Sequence, residues 1–287
     1  MSRIAYVNGR YRPLSEPAMP AEDRGLQFAD AVYEVVLIYH GAPIDEGYHL
    51  ERLERSLAEL GIPMPMSRPA LGVVVREVVR RNRILDGIVY MQISRGTAPR
   101  NAAPFPKGLA PNVIMTARRV APPDPAASFA GIGVKTVPDI RWGRRDIKTT
   151  ALLPNAWAKQ RALEGGFKDA WQVDDDGYVT EGSSSNAWIV TKDKQLVTRP
   201  RSHDILWGVT RRRVLELAAE LGLSLVERPF TVAEAKAASE AFQTSASSYV
   251  LPVTRIDDTS IGNGRAGSVT MALAERYHAH IRGGDAE

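Results

Sequence analysis

The hydrophobic period changes between residues 31 and 60, and this change constrains the fold more than any other feature of the sequence. Residues 31–39 (AVYEVVLIY) are mostly β-branched or aromatic, which predicts a strand that ends in a turn at His40-Gly41. Four leucines then recur at helical spacing up to Leu60, so an amphipathic helix is predicted over 48–60. A strand followed by a helix with one apolar face predicts an α+β fold.

The rest of the chain continues this mixture. The opening residues predict a hairpin, because Asn8-Gly9 supplies the positive φ angles that a tight turn needs. Further helices are predicted at 69–82, 151–165, 210–221, 231–237 and 268–281. Strands are predicted at 88–96, 112–120, 132–137, 169–173, 186–190, 195–198, 223–228, 240–244 and 249–255.

The stretch 121–131 (APPDPAASFAG) is the predicted linker, because prolines stiffen it and no apolar periodicity crosses it. It separates a small N-terminal domain, residues 1–120, from a larger C-terminal domain, residues 132–287. The sequence therefore predicts two α+β domains joined by a short linker.

Composition limits the class of protein. Hydrophobic residues make up 44% of the chain and charged residues 24%, which is ordinary for a globular protein and excludes wholesale disorder. No apolar stretch approaches the roughly 18 residues that span a bilayer, and the first residues lack a signal-peptide core, so we expect a cytoplasmic protein without a membrane partner. The absence of cysteine excludes disulfides, a thiol nucleophile and zinc–thiolate sites. The five histidines show no ligand spacing, and no metal site is predicted.

The chain is mildly basic, with 37 Lys+Arg against 33 Asp+Glu. Two arginine clusters stand out, one at Arg141, Arg144 and Arg145 and the other at Arg211, Arg212 and Arg213. Such clusters are more often solvated surfaces than nucleic-acid sites, and no nucleic-acid module accompanies them. We expect no nucleic-acid partner, and a nucleic-acid-binding protein remains the alternative from a different functional class.

Two segments combine a charged side chain with unusual neighbours. Lys148 in DIKTTALL (146–153) lies among hydroxyl and apolar residues, and a partly desolvated lysine is a usable amine nucleophile and proton carrier. On local sequence alone, a lysine that extends into solvent is the simpler interpretation. Glu181 in TEGSSSN (180–186) is suited to act as an acid, a base or a charge partner, although its serine-rich turn is also ordinary turn composition.

Two further segments are suited to an anion. WGVTRRRVLELAAELG (207–222) begins a predicted helix with Thr210 as its N-cap, and the free N–H groups of a helix start bind phosphate well. QTSASSYVLPV (243–253) offers more N–H and hydroxyl donors. Two such turns, one amine and one carboxylate together suggest a phosphorylated carbonyl cofactor, pyridoxal 5′-phosphate (PLP).

Taken in order, these segments resemble the fold-type IV PLP enzymes, and most closely the D-amino-acid aminotransferases (D-alanine transaminases). The motifs that carry the resemblance are FADAVYEVVLIYHG (28–41), HLERL (49–53), RGTAPRN (95–101), RWGRRDIKTTALL (141–153), TEGSSSN (180–186), ILWGVTR (205–211) and TSASSYVLPV (244–253). The resemblance implies an α+β fold with a small N-terminal α+β domain and a larger C-terminal α/β barrel-like domain. It also implies a homodimer.

The resemblance implies roles for the matching residues. Lys148 is similar to the lysine that binds PLP covalently and moves the substrate proton, and Glu181 to the partner of the pyridine nitrogen. Arg52 is similar to the phosphate-binding arginine. The remaining cofactor-binding residues implied are Leu206 against the ring, and Val209, Thr210, Ser245 and Ala246 around the phosphate.

Tyr33 and Arg100 resemble the residues that hold the substrate α-carboxylate, with Arg100 reaching over from the other subunit. The family typically has a histidine two residues after this arginine, where this chain has Ala102. A lost hydrogen bond to a charged group costs roughly 1.5–3 kcal/mol, so weaker binding of α-carboxylates or a wider tolerance of amines is expected.

The implied reaction is transamination of a D-amino acid, most naturally D-alanine with 2-oxoglutarate, in a ping-pong cycle through pyridoxamine phosphate. Its partners are an amino donor and a 2-oxo acid acceptor. A branched-chain L-aminotransferase is the nearest alternative, although AVYEV (31–35) differs from the Phe-Glu-Gly usual in that group. An (R)-selective amine transaminase, suggested by Ala102, and an aminodeoxychorismate lyase are further alternatives of the same fold.

Overall fold

The computed structural model describes residues 3–16, 19–122 and 130–283. The chain divides into two compact units. The first comprises Met1–Pro122 and Ile147–Ala151, and the second comprises Pro123–Asp146 and Leu152–Glu287. Most of the predicted linker lies outside the described residues, so its conformation stays a prediction.

The short segment Ile147–Ala151 clusters with the first unit, whereas the predicted boundaries assign it to residues 132–287. Two backbone contacts explain this. Tyr33 donates its N–H to the carbonyl of Lys148 at 2.9 Å, and Val32 and Thr149 form an antiparallel bridge. Such long-range pairing leaves no trace in local composition.

The first unit is an antiparallel sheet of six strands in the order β2-β1-β6-β5-β3-β4. Its strands are β1 (Ile4–Val7), β2 (Arg10–Pro13), β3 (Ala31–Tyr39), β4 (Ala42–Pro43), β5 (Gly87–Ser94) and β6 (Asn112–Arg119). Its helices are α1 (Arg24–Phe28), α2 (Glu46–Glu59) and α3 (Arg68–Asn82). Leu53 and Leu57 of α2 and Val75 of α3 share one apolar core with the sheet residues Val32 and Met91.

The predicted hairpin, the strand at 31–39 and the helices at 48–60 and 69–82 are confirmed within a few residues. Asn8 and Gly9 have φ angles of 46° and 87°, as their turn requires. Helix α1 was not predicted, because five residues are too few to display a helical period. Its N-cap Asp23 accepts a hydrogen bond from the Leu26 N–H.

The second unit contains a mixed sheet of nine strands in the order β12-β11-β10-β13-β14-β7-β8-β9, with β15 paired to β14. Its strands are β7 (Ile132–Pro138), β8 (Asp169–Val173), β9 (Val179–Gly182), β10 (Asn186–Val190), β11 (Gln195–Thr198), β12 (Ser224–Glu227), β13 (Glu240–Ser245), β14 (Tyr249–Ile256) and β15 (Thr259–Ser260). Its helices are α4 (Leu153–Glu164), α5 (Val209–Glu220), α6 (Val232–Ala237) and α7 (Ser268–Ile281).

This second sheet is curled. Strand β9 ends the sheet order and β10 lies several strands away, yet only Ser183–Ser185 joins them. The four Cα–Cα steps from Gly182 to Asn186 span at most about 14 Å, so the sheet must curve until β9 approaches β10. The curvature agrees with the predicted barrel-like C-terminal domain. No helix in the described part of the chain is long and apolar enough to cross a membrane.

Candidate functional site

Lys148 lies in the segment that returns to β3 of the first unit, and its side chain is half-buried. Its backbone N–H is 3.4 Å from the Ser56 hydroxyl, and its carbonyl accepts the Tyr33 N–H. The Nζ atom is 4.3 Å from the centre of the Tyr33 ring, a cation–π distance. The structure therefore brings together two predicted site residues, the amine Lys148 and the aromatic ring of Tyr33.

The Tyr33 ring is itself supported by a second aromatic residue. It stacks on Tyr90 of β5 with the ring centres 5.7 Å apart, and the Tyr90 hydroxyl donates to Gln92 at 2.7 Å. Burial raises the pKa of Tyr90 to about 12, so its phenol stays neutral. Arg100 lies in the exposed loop after β5, and its guanidinium contacts the Phe28 ring at 4.9 Å rather than Tyr33.

Arg52 of α2 is oriented by a buried carboxylate. Its Nε and Nη2 atoms are each 2.7 Å from an oxygen of Glu34, and His49 Nδ1 is 2.8 Å from the same carboxylate. Burial alone would raise the pKa of Glu34, but Arg52 and His49 lower it to about 2. Glu34 is therefore a carboxylate at all ordinary pH values, and its two oxygens fix the guanidinium plane.

The sequence indicates only a structural role for Glu34 within its strand and does not reveal Arg52 and His49 as its partners. The signal that was available is the strand alternation of β3. Val32, Val36 and Ile38 face the same side of the strand as Glu34, and all are buried. A single carboxylate in such a row needs a buried cationic partner.

In the second unit, Glu181 of β9 is buried and its carboxyl oxygens accept hydrogen bonds from several donors. Both of its oxygens lie 3.1 Å from the Leu206 N–H, one accepts from Asn186 Nδ2 at 2.8 Å, and Arg141 forms an ion pair with it. Burial raises the pKa of Glu181 above its ordinary value, although Arg141 and Leu206 favour the charged form. An additional positive charge placed next to this carboxyl would favour its charged form.

The expectation that both arginine clusters are solvated is wrong for their first members. The Arg141 side chain is 7% exposed and bonds Asp139 as well as Glu181, and Arg211 is 1% exposed and bonds Glu227 and the Arg199 carbonyl. Asp139 is near Arg141 in sequence, but Glu181 lies 40 residues from Arg141, and the partners of Arg211 lie 12 and 16 residues away. Local charge clustering therefore could not reveal the burial.

The start of helix α5 also differs from the prediction. Gly208 is the N-cap and Thr210 lies inside the first turn, buried, with its hydroxyl 3.5 Å from the Tyr277 hydroxyl. A Cβ at Gly208 would collide with Asn186 Oδ1, so only glycine permits this close approach. Within the described ranges no side chain caps the helix, which leaves the N–H groups of its first turn for an external anion.

Asn186 connects the predicted residues of the second unit. Its Nδ2 donates both to Glu181 and, at 2.9 Å, to the Leu206 carbonyl, and it pairs with Thr244 across β10 and β13. Ser245 therefore lies next to the Asn186 position, in a turn where its hydroxyl is 2.6 Å from that of Ser248. The structure thus brings Glu181, Leu206, the α5 start and Ser245 around one asparagine that sequence reasoning had not singled out.

Comparison with known proteins decides the family. Residues 31–256 match the family described as amino-transferase class IV. The chain belongs to this family. As a class IV aminotransferase it is 41% identical over 263 residues to a D-alanine aminotransferase from Bacillus licheniformis, with 92% of each chain covered. It is 36% identical over 278 residues to the D-alanine aminotransferase of Staphylococcus haemolyticus, covering 96% of this chain and 97% of that one.

A solved structure shows the same fold. The branched-chain aminotransferase of the archaeon Thermoproteus uzoniensis, determined with norvaline, superposes with a TM-score of 0.90 at 25% identity, covering 99% of this chain and 96% of that one. The predicted fold-type IV architecture of this class IV aminotransferase is therefore confirmed.

Proposed function

We propose that this class IV aminotransferase uses PLP to transfer the amino group of a D-amino acid, with D-alanine as donor and 2-oxoglutarate as acceptor. Identity supports the substrate class, since the chain is 41% identical to a D-alanine aminotransferase and 25% identical to the branched-chain enzyme of the same fold. The observation that carries the cofactor chemistry is the buried Glu181 carboxyl, bonded through Asn186 and Leu206 next to an uncapped helix start.

The residues present fit PLP. A buried carboxylate that Asn186 and the Leu206 N–H hold in place suits a protonated ring nitrogen, and the uncapped start of α5 suits a phosphate. Under this proposal Lys148 binds the cofactor covalently, Glu181 bonds the ring nitrogen and Leu206 lies against the ring. Arg52, the N–H groups of Val209 and Thr210, and the turn residues Ser245 and Ala246 hold the phosphate.

Bound PLP supplies an electron sink for the electron pair of the substrate Cα–H bond. The protein moves the proton. Lys148 Nζ takes up and returns the Cα proton, and the Tyr33 ring lies 4.3 Å from that amine. Glu181 keeps a proton on the ring nitrogen, and Glu34 keeps Arg52 oriented toward its anion. Tyr33 and Arg100 hold the substrate α-carboxylate.

We propose in addition that the enzyme works in the cytoplasm as a homodimer. Leu153 and Trp157 lie one turn apart on α4 and are 79% and 51% exposed, and Trp142 of the same unit is 46% exposed. Leu153 and Trp157 share one face of α4, and neighbouring exposed apolar side chains are typical of a surface that a second protein covers. Light scattering tests this proposal. We expect twice the chain mass for the wild type and a shift toward the monomer mass for Leu153→Glu.

The assay that tests the activity measures pyruvate formation from D-alanine and 2-oxoglutarate in a coupled reaction. L-alanine, L-leucine and (R)-1-phenylethylamine are tested in parallel as donors, with glutamate formation as the common readout, because only alanine yields pyruvate. We expect turnover with D-alanine that exceeds the other three. Turnover of L-leucine without D-alanine would establish the branched-chain alternative, and repeated pyruvate release from aminodeoxychorismate without an oxo acid acceptor would indicate a lyase.

A further inference from the structure

Arg24, the first residue of α1, is a buried cation to which the proposed chemistry assigns no task. Its side chain is 2% exposed. Its Nε atom is 2.7 Å from Asp30, its Nη1 is 2.6 Å from the Asn101 carbonyl and its Nη2 is 3.3 Å from the Ala102 carbonyl. All three guanidinium nitrogens therefore have acceptors, two of which belong to a loop nearly 80 residues away in sequence.

The two carbonyls directly follow Arg100, the residue proposed to hold the substrate α-carboxylate. The side chain of Arg100 is supported by the same helix, since its guanidinium carbon is 4.9 Å from the centre of the Phe28 ring. Arg24 contacts that ring at 4.8 Å. One turn of α1 thus holds the backbone after Arg100 through Arg24, and the side chain of Arg100 through Phe28.

The surroundings show that Arg24 is held firmly. Asp30 is shared with Arg95, whose Nε is also 2.7 Å away and which bonds the carbonyls of Leu60 and Gly61. The Phe105 ring, further along the same loop, lies 5.4 Å from Arg24 and 4.2 Å from Arg95. Residues 100–105 are themselves exposed, so these contacts determine where the loop lies.

We propose that Arg24 is a positioning residue for carboxylate recognition: it fixes the loop backbone so that Arg100 presents its guanidinium to the substrate. The proposal rests on the proposed function, because it takes Arg100 as the carboxylate-binding residue. Ala102 carries no donor, so recognition in this chain depends more heavily on the placement of Arg100. The planar guanidinium group can bond Asp30 and the two carbonyls at the same time, and the single ammonium group of a lysine cannot replace it.

The test variant is Arg24→Lys, which keeps the charge next to Asp30 and loses the fork. We expect the KM for D-alanine and the inhibition constant of propionate to rise together by about tenfold, the size of one lost bond to a charged group, with kcat lowered less than threefold. Arg199→Lys is the matched control. Arg199 is also buried and paired with two carboxylates, Asp174 and Asp204, but it lies in the second unit.

A second readout does not depend on activity. Trypsin cleaves after Arg100, and the released loop of Arg24→Lys should be cut there several times faster than in the wild type or in Arg199→Lys. If Arg24→Lys fails to fold, Phe28→Leu keeps every buried charge and should give the same two changes, smaller in size.

An unchanged rate of cleavage after Arg100 would overturn the proposal, and so would faster cleavage with an unchanged KM and propionate constant. If the wild type does not turn over D-alanine at all, the proposed function has failed. In that case propionate binding is measured by how well propionate protects the cofactor against borohydride reduction. Comparing this protection between the wild type and Arg24→Lys then still decides whether Arg24 acts on carboxylate recognition.

Discussion

Glu34 offers the sharpest test of how the first unit is held together, because it is a fully enclosed carboxylate on a strand of apolar residues. The perturbation is Glu34→Gln, which keeps the shape and removes the charge. Arg52 and His49 then both lose the buried carboxylate that they contact.

The magnitude follows from the pKa of Glu34, which is lowered from 4.5 to about 2 in the folded protein. A shift of this size corresponds to about 3 kcal/mol of stability. Because the folded pKa is depressed, this stability is fully present above pH 4.5 and is lost as the pH falls toward 2. The loss in Glu34→Gln should therefore be constant from pH 7 to pH 5 and shrink below that range.

Urea unfolding at a fixed protein concentration, with and without PLP, measures the effect. Glu77→Gln is the matched control, since the pKa of Glu77 is also lowered to about 2 by Arg80 and Arg81, but at the surface of α3. Solvent screens a surface pair, so the control should unfold nearly like the wild type. If Glu34→Gln also unfolds like the wild type, or if its deficit is the same at pH 3 as at pH 7, the buried ion pair does not stabilise the fold as argued.

Three further variants test the remaining parts of the site. Glu181→Gln should lower kcat with D-alanine by about 10²-fold or more, because a neutral amide does not keep the ring nitrogen protonated. The rate of the first half-reaction is followed by single-turnover absorbance. An unchanged rate would show that Glu181 takes no part in the chemistry. Gly208→Ala should weaken PLP binding in equilibrium dialysis, since its Cβ would collide with Asn186 Oδ1, whereas Gly143→Ala, with open space at its Cβ, should bind PLP normally. If the two variants bound PLP with equal affinity, the contact between Gly208 and Asn186 would not contribute to cofactor binding. Ala102→His should lower the KM for D-alanine by about tenfold, as a bond to a charged group contributes roughly 1.5–3 kcal/mol. An unchanged KM there would mean that this loop position does not reach the carboxylate.

Local periodicity was enough to predict most elements of the fold. The alternation in β3 and the leucine spacing in α2 are set by which face each element buries, and both are visible in a short window of sequence. The five-residue helix α1 and the two-residue strands β4 and β15 are shorter than any window that shows a period. The return of residues 147–151 to β3 depends on a bridge between residues far apart in sequence.

The candidate site likewise contains residues that the sequence could predict and residues that it could not. Lys148 and Glu181 stand in motifs that mark them, whereas Glu34, Asn186 and Arg141 acquire their roles only through partners brought close by folding. The N-cap of α5 shows how a local rule fails. Thr210 is a good capping residue by type, but the contact between Gly208 and Asn186 begins the helix two residues earlier.

The most direct test of the proposed chemistry is where PLP attaches. The chain has eight lysines, and only Lys148 has its amine over the ring of another predicted site residue, Tyr33, among the described residues. Borohydride reduction of the holoenzyme followed by peptide mass mapping should find a pyridoxyl group on Lys148 and none in Lys148→Ala. A pyridoxyl group on a different lysine, or on none, would contradict the account.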